Sequence, residues 1–464
     1  MLRFLVNNKY VETDLPVGSS LVDFIRNEMH LYGTKIGCRE GDCGACAVLV
    51  GELVDGKMVY KAMTSCLTPM GNAVGKHIVT IEGINQAKLT AIQSEFIEQN
   101  GTQCGFCTPG FILSLYGFCL GEKPFTMENA IEAVAGNICR CTGYKSIERS
   151  IAPIMQKLQS MDRSAPLKWL VDNNFLPDYF LGIPDRMQAI ASLATTSAQD
   201  SGYILAGGTD LLLQDFEGAH DAPNVNLMYG AKEFSQIKIE TDRVTIGASV
   251  TITELKDSPE LNRLLPGLGN YLNLMASTPI RNMATVGGNI ANGSPIGDVS
   301  VMLMGLDASL LLSNKGAKRE VTLRDFFVGY KKVAKDSEEI VECVYFDTPN
   351  ENTRFSFEKI SKRIHLDMAT VNSSMRVIVD QNVIQKASFA VGGLGPTIRY
   401  LDKTADYLVG KKIDNATFKE ANRIAQTEIT PRSRAEYKRA LVRQQLLIHL
   451  MSFSPETVTL GALQ

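Results

Sequence analysis

Cysteines are the residues of this sequence whose number and spacing point most directly to chemistry. The chain has ten, and nine of them lie within the first 141 residues. The loop GCREGDCGAC contains Cys38, Cys43 and Cys46, and Cys66 follows twenty residues further on. This is the plant-type spacing of a [2Fe–2S] cluster, in which four thiolates converge on two irons. We therefore predict a [2Fe–2S] cluster on these four cysteines.

Zinc is the alternative for this first cysteine set, because four thiolates also make a tetrahedral zinc site. Zinc sites usually combine two C-x2–4-C pairs, whereas three of these thiols share one loop. Gly37, Gly41 and Gly44 lie beside them and remove side-chain bulk, so that backbone N–H groups can approach the sulfur atoms. Such hydrogen bonds help to set the reduction potential of a cluster. The spacing therefore favours iron over zinc.

A second cysteine set consists of two pairs, each at the end of an apolar helical pattern. Cys104 and Cys107 form the first pair, and Cys139 and Cys141 form the second. Side chains at i and i+2 point about 200° apart on a regular helix. The second pair can therefore share one cluster only where the helix has ended. Taken alone, this set leaves zinc open as an alternative, but beside the first set it predicts a second [2Fe–2S] cluster.

The remaining cysteines and the histidines form no shared motif. Cys119 lies in an apolar stripe, which favours packing, and Cys343 stands alone in a β-like run. We assign neither a redox role. The histidines are predicted to be structural or surface residues, and they are His30, His77, His220, His365 and His449.

Strands and one helix are predicted around the first cysteine set. Residues 2–6 and 9–13 read as short strands around a turn, and 47–50 read as another strand. Ser19 or Ser20 is predicted to cap a helix. Two strands, a helix, a cysteine loop and further strands predict a small β-grasp sheet of the ferredoxin kind.

A helical period surrounds the second cysteine set from about residue 88 to 160. One of its predicted apolar stripes runs through Ile131, Val134, Ala135 and Ile138. The pattern predicts a compact helical bundle. Beyond it, β-rich runs alternate with glycine-rich turns and helical patches, and the last part of the chain carries strands followed by helices.

Two glycine-rich segments could contact a phosphate group through their backbone. They are ILAGGTDLLLQ at 204–214 and ATVGGNIANGSPIGD at 284–298. Small residues after a strand can expose N–H groups as an anion-binding nest, although two adjacent glycines usually mark only a turn. The strand–GxGxxG–helix fingerprint of a Rossmann site does not occur. The segments therefore suggest a phosphate-bearing cofactor without identifying it.

Bulk composition excludes several classes of protein. The chain has 464 residues, 45% hydrophobic and 21% charged, which predicts several globular domains. A net charge of −3 gives no bulk attraction to nucleic acid or to an anionic membrane. No apolar run approaches the roughly 18–20 residues that span a bilayer, and the first ten residues do not resemble a secretion signal. We expect a cytoplasmic protein without nucleic-acid or membrane partners.

Together, the cysteine sets and the glycine segments resemble the xanthine dehydrogenase family of the molybdenum hydroxylase superfamily. The resemblance is to the small iron–sulfur and FAD subunit of two-subunit bacterial enzymes, and it covers essentially the whole chain. It implies a multidomain α+β fold. The implied domains are a β-grasp [2Fe–2S] ferredoxin domain at 1–84, a helical-bundle [2Fe–2S] domain at 85–162, a two-part α+β FAD-binding domain (PCMH-type) at 168–348 and a C-terminal α+β flavoprotein domain at 354–464.

The resemblance also implies FAD-binding residues. The first glycine segment would hold the pyrophosphate, and residues further along would line the rest of the cofactor. The implied positions are Ile204, Leu205, Ala206, Gly207, Gly208, Thr209, Asp210, Leu211, Met275, Thr285, Gly288, Asn289, Asp298, Val341 (or its neighbour Ile340) and Lys359. Core packing is the alternative for Met275 and Val341, and a solvated charge is the alternative for Lys359.

The function implied by the resemblance is electron transfer. The chain is expected to contain no catalytic residue for substrate hydroxylation, because the molybdenum cofactor would be bound by a separate large subunit. Electrons from hypoxanthine or xanthine would pass from that partner through the helical-domain cluster, the plant-type cluster and FAD to NAD+. A dimer of heterodimers is implied. The alternatives are an aldehyde, nicotinate or another heterocycle as substrate, and, as a different class, a zinc-stabilised binding protein.

Overall fold

The structure is a computed structural model, which describes residues 1–191 and 202–463. The chain separates into two units. Unit 1 contains residues 1–229 and 277–284, and unit 2 contains residues 230–276 and 285–464. The units divide the domain predicted at 168–348, so the four predicted domain boundaries stay a prediction.

Strands and helices alternate through both units. The strands are β1 Leu2–Val6, β2 Lys9–Thr13, β3 Ala47–Val54, β4 Lys57–Thr64, β5 His77–Val79, β6 Tyr203–Leu205, β7 Val225–Leu227, β8 Ile237–Ile239, β9 Arg243–Gly247, β10 Ser309–Asn314, β11 Ala317–Thr322, β12 Phe327–Gly329, β13 Lys332–Val333, β14 Ile340–Asp347, β15 Thr353–Ile360, β16 Val371–Asp380, β17 Val383–Gly392 and β18 Arg399–Tyr400. The α-helices are α1 Leu21–Asp23, α2 Ile81–Ile84, α3 Ala91–Glu98, α4 Thr108–Cys119, α5 Met127–Val134, α6 Lys145–Leu158, α7 Pro166–Asp172, α8 Ile183–Ala191, α9 Leu211–Gln214, α10 Phe216–Asp221, α11 Ile252–Asp257, α12 Pro259–Leu264, α13 Leu268–Asn273, α14 Thr278–Arg281, α15 Val286–Ala291, α16 Asp298–Gly305, α17 Leu323–Phe326, α18 Asp402–Leu408, α19 Asn415–Glu428 and α20 Ala435–Phe453.

Unit 1 begins with a five-stranded sheet in the order β2-β1-β5-β3-β4. β1 and β5 are parallel, and the other neighbours are antiparallel. The predicted strands around Asn7 are confirmed, with Asn7 at a φ of 52° in the turn. Leu21 and Ile25 pack with Phe4 and Val48 in one buried core, so the short helical segment covers one face of the sheet. This is the predicted β-grasp arrangement.

The predicted serine cap of this helical segment is wrong. Ser20 occupies the N-terminal position of α1, but its side chain makes no capping hydrogen bond. The hydroxyl instead donates to the carbonyl oxygens of Ser65 and Cys66 at 3.3 and 3.1 Å. Because the sequence cannot report a partner so far along the chain, the serine looked like an ordinary cap. The contact ties the helical segment to the turn that carries Cys66.

The helical part of unit 1 follows the sheet. Helices α3, α4 and α6 share a core that contains Phe96, Phe111, Leu115, Ile147 and Ile151. This confirms the predicted bundle.

The predicted apolar stripe on α5 is confirmed at Val134, which is buried, and is wrong at its other positions. The helix ends at Val134, and Ile131 and Ile138 are 40% and 48% exposed. Ala130 and Ala133 face the core instead. The surface around the second cysteine set is therefore more apolar than the predicted stripe implied.

Unit 2 is built on two antiparallel sheets. The first has the order β11-β10-β14-β9-β8, and the second has the order β15-β16-β17-β18. Helices α18, α19 and α20 pack on the second sheet through a core that includes Phe389, Phe418 and Leu446. Helix α16 is tied to β16 by a hydrogen bond of 2.5 Å from the Ser374 hydroxyl to the Val301 carbonyl. The second sheet thus carries helices on it, and together with the first sheet it gives the predicted α+β fold.

None of the helices in residues 1–191 and 202–463 is long and apolar enough to span a bilayer.

Candidate cofactor sites

The first cysteine set lies where a loop and a turn of unit 1 meet. Cys38, Cys43 and Cys46 lie in the loop before β3, and Cys66 lies in a single turn after β4. Cys46 and Cys66 are buried, whereas Cys38 and Cys43 are half-buried. The thiols meet in two hydrogen-bonded pairs, Cys38 with Cys43 and Cys46 with Cys66. The fold therefore brings all four predicted ligands to one place.

Backbone N–H groups surround these sulfur atoms. The N–H of Glu40 donates to the Cys38 sulfur at 3.3 Å. The hydrogen bond from Cys43, together with backbone N–H groups that include that of Glu40, lowers the pKa of Cys38 to about 5. The same hydrogen bond raises the pKa of Cys43. Within the buried pair, the hydrogen bond lowers the pKa of Cys46 and raises that of Cys66. The loop is thus able to stabilise negative sulfur.

Two glycines are required by close contacts of this loop. A Cβ on Gly37 would lie 2.8 Å from the Cys43 sulfur. Gly44 has a φ of +65°, and a Cβ there would lie 2.4 Å from the Gly136 carbonyl oxygen. Side chains at either position would displace the cysteine loop. The glycines predicted beside the first set therefore leave room for thiolates and backbone.

The second cysteine set lies at the ends of helices. Cys107 is the residue before α4, with Pro109 in its first turn, and Cys139 and Cys141 lie between α5 and α6. The prediction that the helix ends before this pair is confirmed. Cys107 pairs with Cys139, and Cys104 pairs with Cys141. The set again forms two thiol pairs.

Exposure divides the second set. Cys139 is buried, Cys107 is half-buried, and Cys104 and Cys141 are exposed. Burial, with the hydrogen bond from Cys139, raises the pKa of Cys107 to about 12. Burial also acts to raise the pKa of Cys139, but hydrogen bonds from Thr142 outweigh it and the pKa is lowered. One side of this set is enclosed and the other faces solvent.

The pairing of the thiols bears on which metal the two sets fit. A single zinc ion needs its four ligands around one point. Within the described residues, no group of three or more His, Cys, Asp or Glu side chains is arranged to hold a metal ion. A [2Fe–2S] cluster is longer, and each of its two tetrahedral irons, already bound to two sulfides, takes two thiolates. Two pairs of thiols in each set therefore fit a two-iron cluster.

The loops of the two sets are joined by hydrogen bonds that the sequence did not indicate. The Ile138 N–H donates to the Cys43 carbonyl oxygen at 3.0 Å. The Asn137 side-chain amide donates to the Gly44 carbonyl oxygen, also at 3.0 Å. Periodicity carries no signal for such contacts, because the partners are almost a hundred residues apart.

Segment 277–284 also contacts both sets. Its Arg281 forms an ion pair of 2.9 Å with Glu132 on α5, next to the second set, and the Arg281 side chain is 4% exposed. Its Ile280 fills the space where a Cβ on Gly41 of the first loop would lie, at 2.6 Å. No role was predicted for this segment. Its contacts hold it against both cysteine loops.

The first glycine segment follows a strand, as predicted. β6 is parallel to β7, and Gly207 and Gly208 follow it before α9 begins at Leu211. Gly208 has a φ of +79°, and a Cβ on Gly207 would lie 2.0 Å from the Met283 carbonyl oxygen. The positive φ of Gly208 is of the kind that occurs in a nest, and the missing side chain of Gly207 lets the turn lie against the Met283 backbone. The FAD contacts of residues 204–211 stay a prediction.

The second glycine segment belongs to unit 2. Thr285 precedes α15, and its hydroxyl accepts a hydrogen bond of 3.1 Å from the Gly288 N–H. Gly288 is exposed, Asn289 is half-buried, and the Asn289 side-chain oxygen accepts a hydrogen bond of 3.4 Å from Ser300. Thr285 thus has a local capping role. Its predicted FAD contact, and those of Gly288 and Asn289, are untested.

Asp298 and Lys359 form a buried ion pair. The Lys359 ammonium donates to Asp298 at 2.6 Å and to the Leu274 carbonyl oxygen at 2.9 Å. Asn372 donates to the other Asp298 oxygen at 2.7 Å. Burial raises the pKa of Asp298, although Lys359 and Asn372 oppose the shift. The alternative of a solvated Lys359 is wrong, because its side chain is 3% exposed.

The other two predicted flavin contacts differ in burial. Met275 is half-buried and directly follows Leu274, the residue whose carbonyl receives Lys359. Three of the predicted positions, Asp298, Lys359 and Met275, therefore lie near one another. Val341 is 7% exposed in β14, opposite Leu312 of β10. That environment agrees with core packing, the alternative given for it.

The residues without an assigned role are structural. Cys119 is buried within α4, and Cys343 is half-buried in β14. Burial lowers the pKa of His77 to about 4 and that of His449 to about 3. His77 is held by Tyr60, and His449 lies between Ser356 and Ser373. None of these groups joins the cysteine sets.

Comparisons with known proteins assign families to four stretches of the chain. Residues 4–71 match the 2Fe-2S iron-sulfur cluster binding domain, and residues 80–152 match the [2Fe-2S] binding domain. Residues 179–348 match the FAD binding domain in molybdopterin dehydrogenase. Residues 356–450 match the CO dehydrogenase flavoprotein C-terminal domain. The chain therefore carries two [2Fe–2S]-type domains and an FAD-binding domain.

Several curated proteins are similar along most of the chain. Xanthine dehydrogenase 1 of Arabidopsis thaliana is 27% identical over 91% of this chain and 37% of its own length. Xanthine dehydrogenase of Oryza sativa subsp. japonica is 29% identical over 85% of this chain and 35% of its own length. Aldehyde oxidase 1 of Bos taurus is 28% identical over 95% of this chain and 38% of its own length. The chain spans less than two fifths of these relatives.

A solved structure is also similar. Reconstituted CO dehydrogenase from Oligotropha carboxidovorans is 26% identical, covering 56% of this chain and 91% of that chain, with a TM-score of 0.49. The four domain matches and the curated relatives agree with the cysteine pairs described above. The chain belongs to the molybdenum hydroxylase family, as an iron–sulfur and FAD protein.

Proposed function

We propose that this chain is the iron–sulfur and FAD subunit of a xanthine dehydrogenase. It takes electrons from a partner chain that oxidises hypoxanthine or xanthine at a molybdenum cofactor, and it delivers them to NAD+. The observation that carries the proposal is the meeting of eight cysteines in four thiol pairs, two pairs in each set. The xanthine dehydrogenases among the relatives support the substrate class.

The cysteines hold the two clusters in this proposal. The first set would bind one cluster and the second set the other, and the ligands are Cys38, Cys43, Cys46, Cys66, Cys104, Cys107, Cys139 and Cys141. When bound, clusters supply single-electron transfer and FAD converts single electrons into the hydride that NAD+ accepts. The chain contributes backbone N–H groups, such as that of Glu40, which stabilise the charge on the ligand sulfurs.

The flavin is held by the remaining predicted residues in this proposal. Backbone of residues 204–211 would receive the pyrophosphate, and Thr285, Gly288 and Asn289 would contact other polar groups. The buried pair of Asp298 and Lys359 offers charged and hydrogen-bonding atoms beside Met275. Val341 is the weakest of these assignments, because its side chain already packs inside a sheet.

The molybdenum-cofactor chain is proposed to cover the second cysteine set. Cys104 and Cys141 are exposed, and three large apolar side chains beside them, Phe106, Ile138 and Tyr144, are 46%, 48% and 39% exposed. Exposed apolar groups around a functional site are typical of a protein–protein interface. A partner seated there would exclude water from the thiolates. We propose a cytoplasmic dimer of heterodimers for the complete enzyme.

Reconstitution tests the substrate. The chain is combined with its co-purified molybdenum-containing partner, and turnover of xanthine is compared with that of an aldehyde and of nicotinate. We expect xanthine to react fastest with NAD+ as acceptor. Faster turnover of the aldehyde would favour the second candidate, an aldehyde-oxidising enzyme, which the similarity to bovine aldehyde oxidase 1 supports.

Analysis of the anaerobically purified chain tests the cofactors. We expect about four irons, about four sulfides and one FAD per chain, with two [2Fe–2S] signals in the electron paramagnetic resonance (EPR) spectrum after reduction. NADH should be oxidised by the isolated chain when an artificial acceptor is present. A preparation with two zinc ions and no iron, or a cluster-loaded preparation without flavin, would contradict the proposal.

A further inference from the structure

Asn137 lies between the two cysteine sets. It belongs to the loop that carries Cys139 and Cys141, yet its side-chain amide donates to the Gly44 carbonyl of the first loop at 3.0 Å. The next residue, Ile138, donates its N–H to the Cys43 carbonyl at the same distance. Two consecutive residues of the second cysteine loop are therefore hydrogen-bonded to two consecutive residues of the first cysteine loop.

The space around the Asn137 side chain is bounded by glycines. A Cβ on Gly44 would lie 2.5 Å from the Asn137 amide nitrogen, and a Cβ on Gly110 would lie 2.9 Å from it. The Gly110 Cβ would also lie 2.4 Å from the Gly44 carbonyl oxygen. Gly110 belongs to α4, whose first turn follows Cys107. The amide thus lies where the first loop meets the helix that follows Cys107.

Packing alone does not explain a buried amide at Asn137. The residue is 4% exposed, and its side-chain oxygen is buried without a hydrogen-bond partner. A buried acceptor without a partner is unfavourable, so an apolar residue of the same size would be more stable if packing were the only requirement. The amide is therefore retained for the contact that it makes with Gly44.

We propose that Asn137 is a positioning residue that fixes the spacing between the two clusters. This inference rests on the proposed function, because it requires both cysteine sets to hold clusters. The bonds to Cys43 and Gly44 hold the first loop at a fixed distance from Cys139. Because electron transfer and magnetic interaction between clusters both depend steeply on distance, a small movement of one loop changes both.

Two variants test the proposal in the full chain. Asn137→Leu removes the hydrogen bond while keeping the approximate volume, and Gly110→Ala pushes against the Gly44 carbonyl and the Asn137 amide while the asparagine itself stays in the sequence. Ser114→Ala is the control, because it removes a buried hydroxyl without a partner from the same helix. Iron, sulfide and the low-temperature EPR spectrum of the fully reduced protein are measured for each variant.

We expect the unchanged chain and the control to show magnetic splitting between the two reduced clusters. Both variants should keep iron, sulfide and the separate signals of the two clusters, but show a splitting of different size. An unchanged splitting in Asn137→Leu, its absence from the unchanged chain, or loss of iron from both variants would overturn the proposal. Absence of iron from the unchanged chain would instead contradict the proposed function.

Discussion

The two cysteine sets differ in how far the protein encloses them. In the first set, Cys46 and Cys66 are buried and the loop directs backbone N–H groups at the sulfur atoms. In the second set, Cys104 and Cys141 are exposed at the ends of helical segments. Both sets nevertheless form two thiol pairs. The pairing of the thiols is therefore separable from the degree of enclosure, and in the proposed function enclosure distinguishes the inner cluster from the one that faces the partner.

Loss of a buried ligand is expected to have the largest effect. Cys46→Ser should abolish the first cluster and leave the second, so iron should fall by about half. Cys119→Ala is the control, because this cysteine is equally buried but lies apart from both sets, and it should retain all the iron. Iron analysis and the EPR spectrum report the result. Loss of both signals from Cys46→Ser would mean that the sets are not independent.

Arg281→Met should have the next largest effect. It removes the nearer of two cationic partners of Glu132 in a mostly buried ion pair and leaves Lys123 at 3.5 Å, which we expect to lower the free energy of unfolding by about 2–3 kcal/mol. Arg3→Met is the matched control, because its ion pair with Glu12 is solvent-exposed and should contribute at most about 1 kcal/mol. Thermal unfolding measures both. Equal decreases in unfolding temperature for the two variants would show that the Arg281 ion pair does not help to hold segment 277–284 against the cysteine loops.

Gly37→Ala should affect only the first set. Its new Cβ would lie 2.8 Å from the Cys43 sulfur, and relieving that contact should destabilise the loop by about 1–3 kcal/mol. The first EPR signal should broaden while the second stays unchanged. Gly182→Ala is the control, because nothing lies within 4 Å of its Cβ. An unchanged first signal would mean that the loop has room for a side chain beside the Cys43 sulfur.

The smallest expected effect is a difference in the rate at which the two clusters lose iron. An iron chelator added to the partner-free chain should remove the second cluster before the first, because Cys104 and Cys141 are exposed. The EPR signals are followed over time in one sample, so that the first cluster serves as an internal control. Earlier loss of the first signal would contradict the greater enclosure of the first cysteine set.

The sequence predicted what depends on neighbouring residues. The strands at 2–6 and 9–13, the turn between them and the end of the helix before Cys139 follow from local propensity, and the structure confirms them. Cysteine spacing likewise indicated both sets. Three ligands of the first set lie within nine residues, and the second set consists of two closely spaced pairs.

What the sequence could not predict depends on distant contacts. Ser20 bonds to the turn of Cys66 instead of capping its helix, and Lys359 is buried because Asp298 lies beside it. Ile131 and Ile138 fit a helical stripe but are exposed, since periodicity does not reveal which apolar face stays on the surface. Asn137 gave no signal, because its role depends on a loop almost a hundred residues away.

The membership of segment 277–284 in unit 1 restricts how this protein can be divided. The chain passes from unit 2 into unit 1 at Ser277 and returns at Thr285. A recombinant fragment that stops at Tyr229 would lack the side chains that fill the space beside Gly41 and neutralise Glu132. We expect such a fragment to aggregate unless a peptide of this segment is supplied in trans, so gene fission between the iron–sulfur and flavin parts would require a compensating replacement.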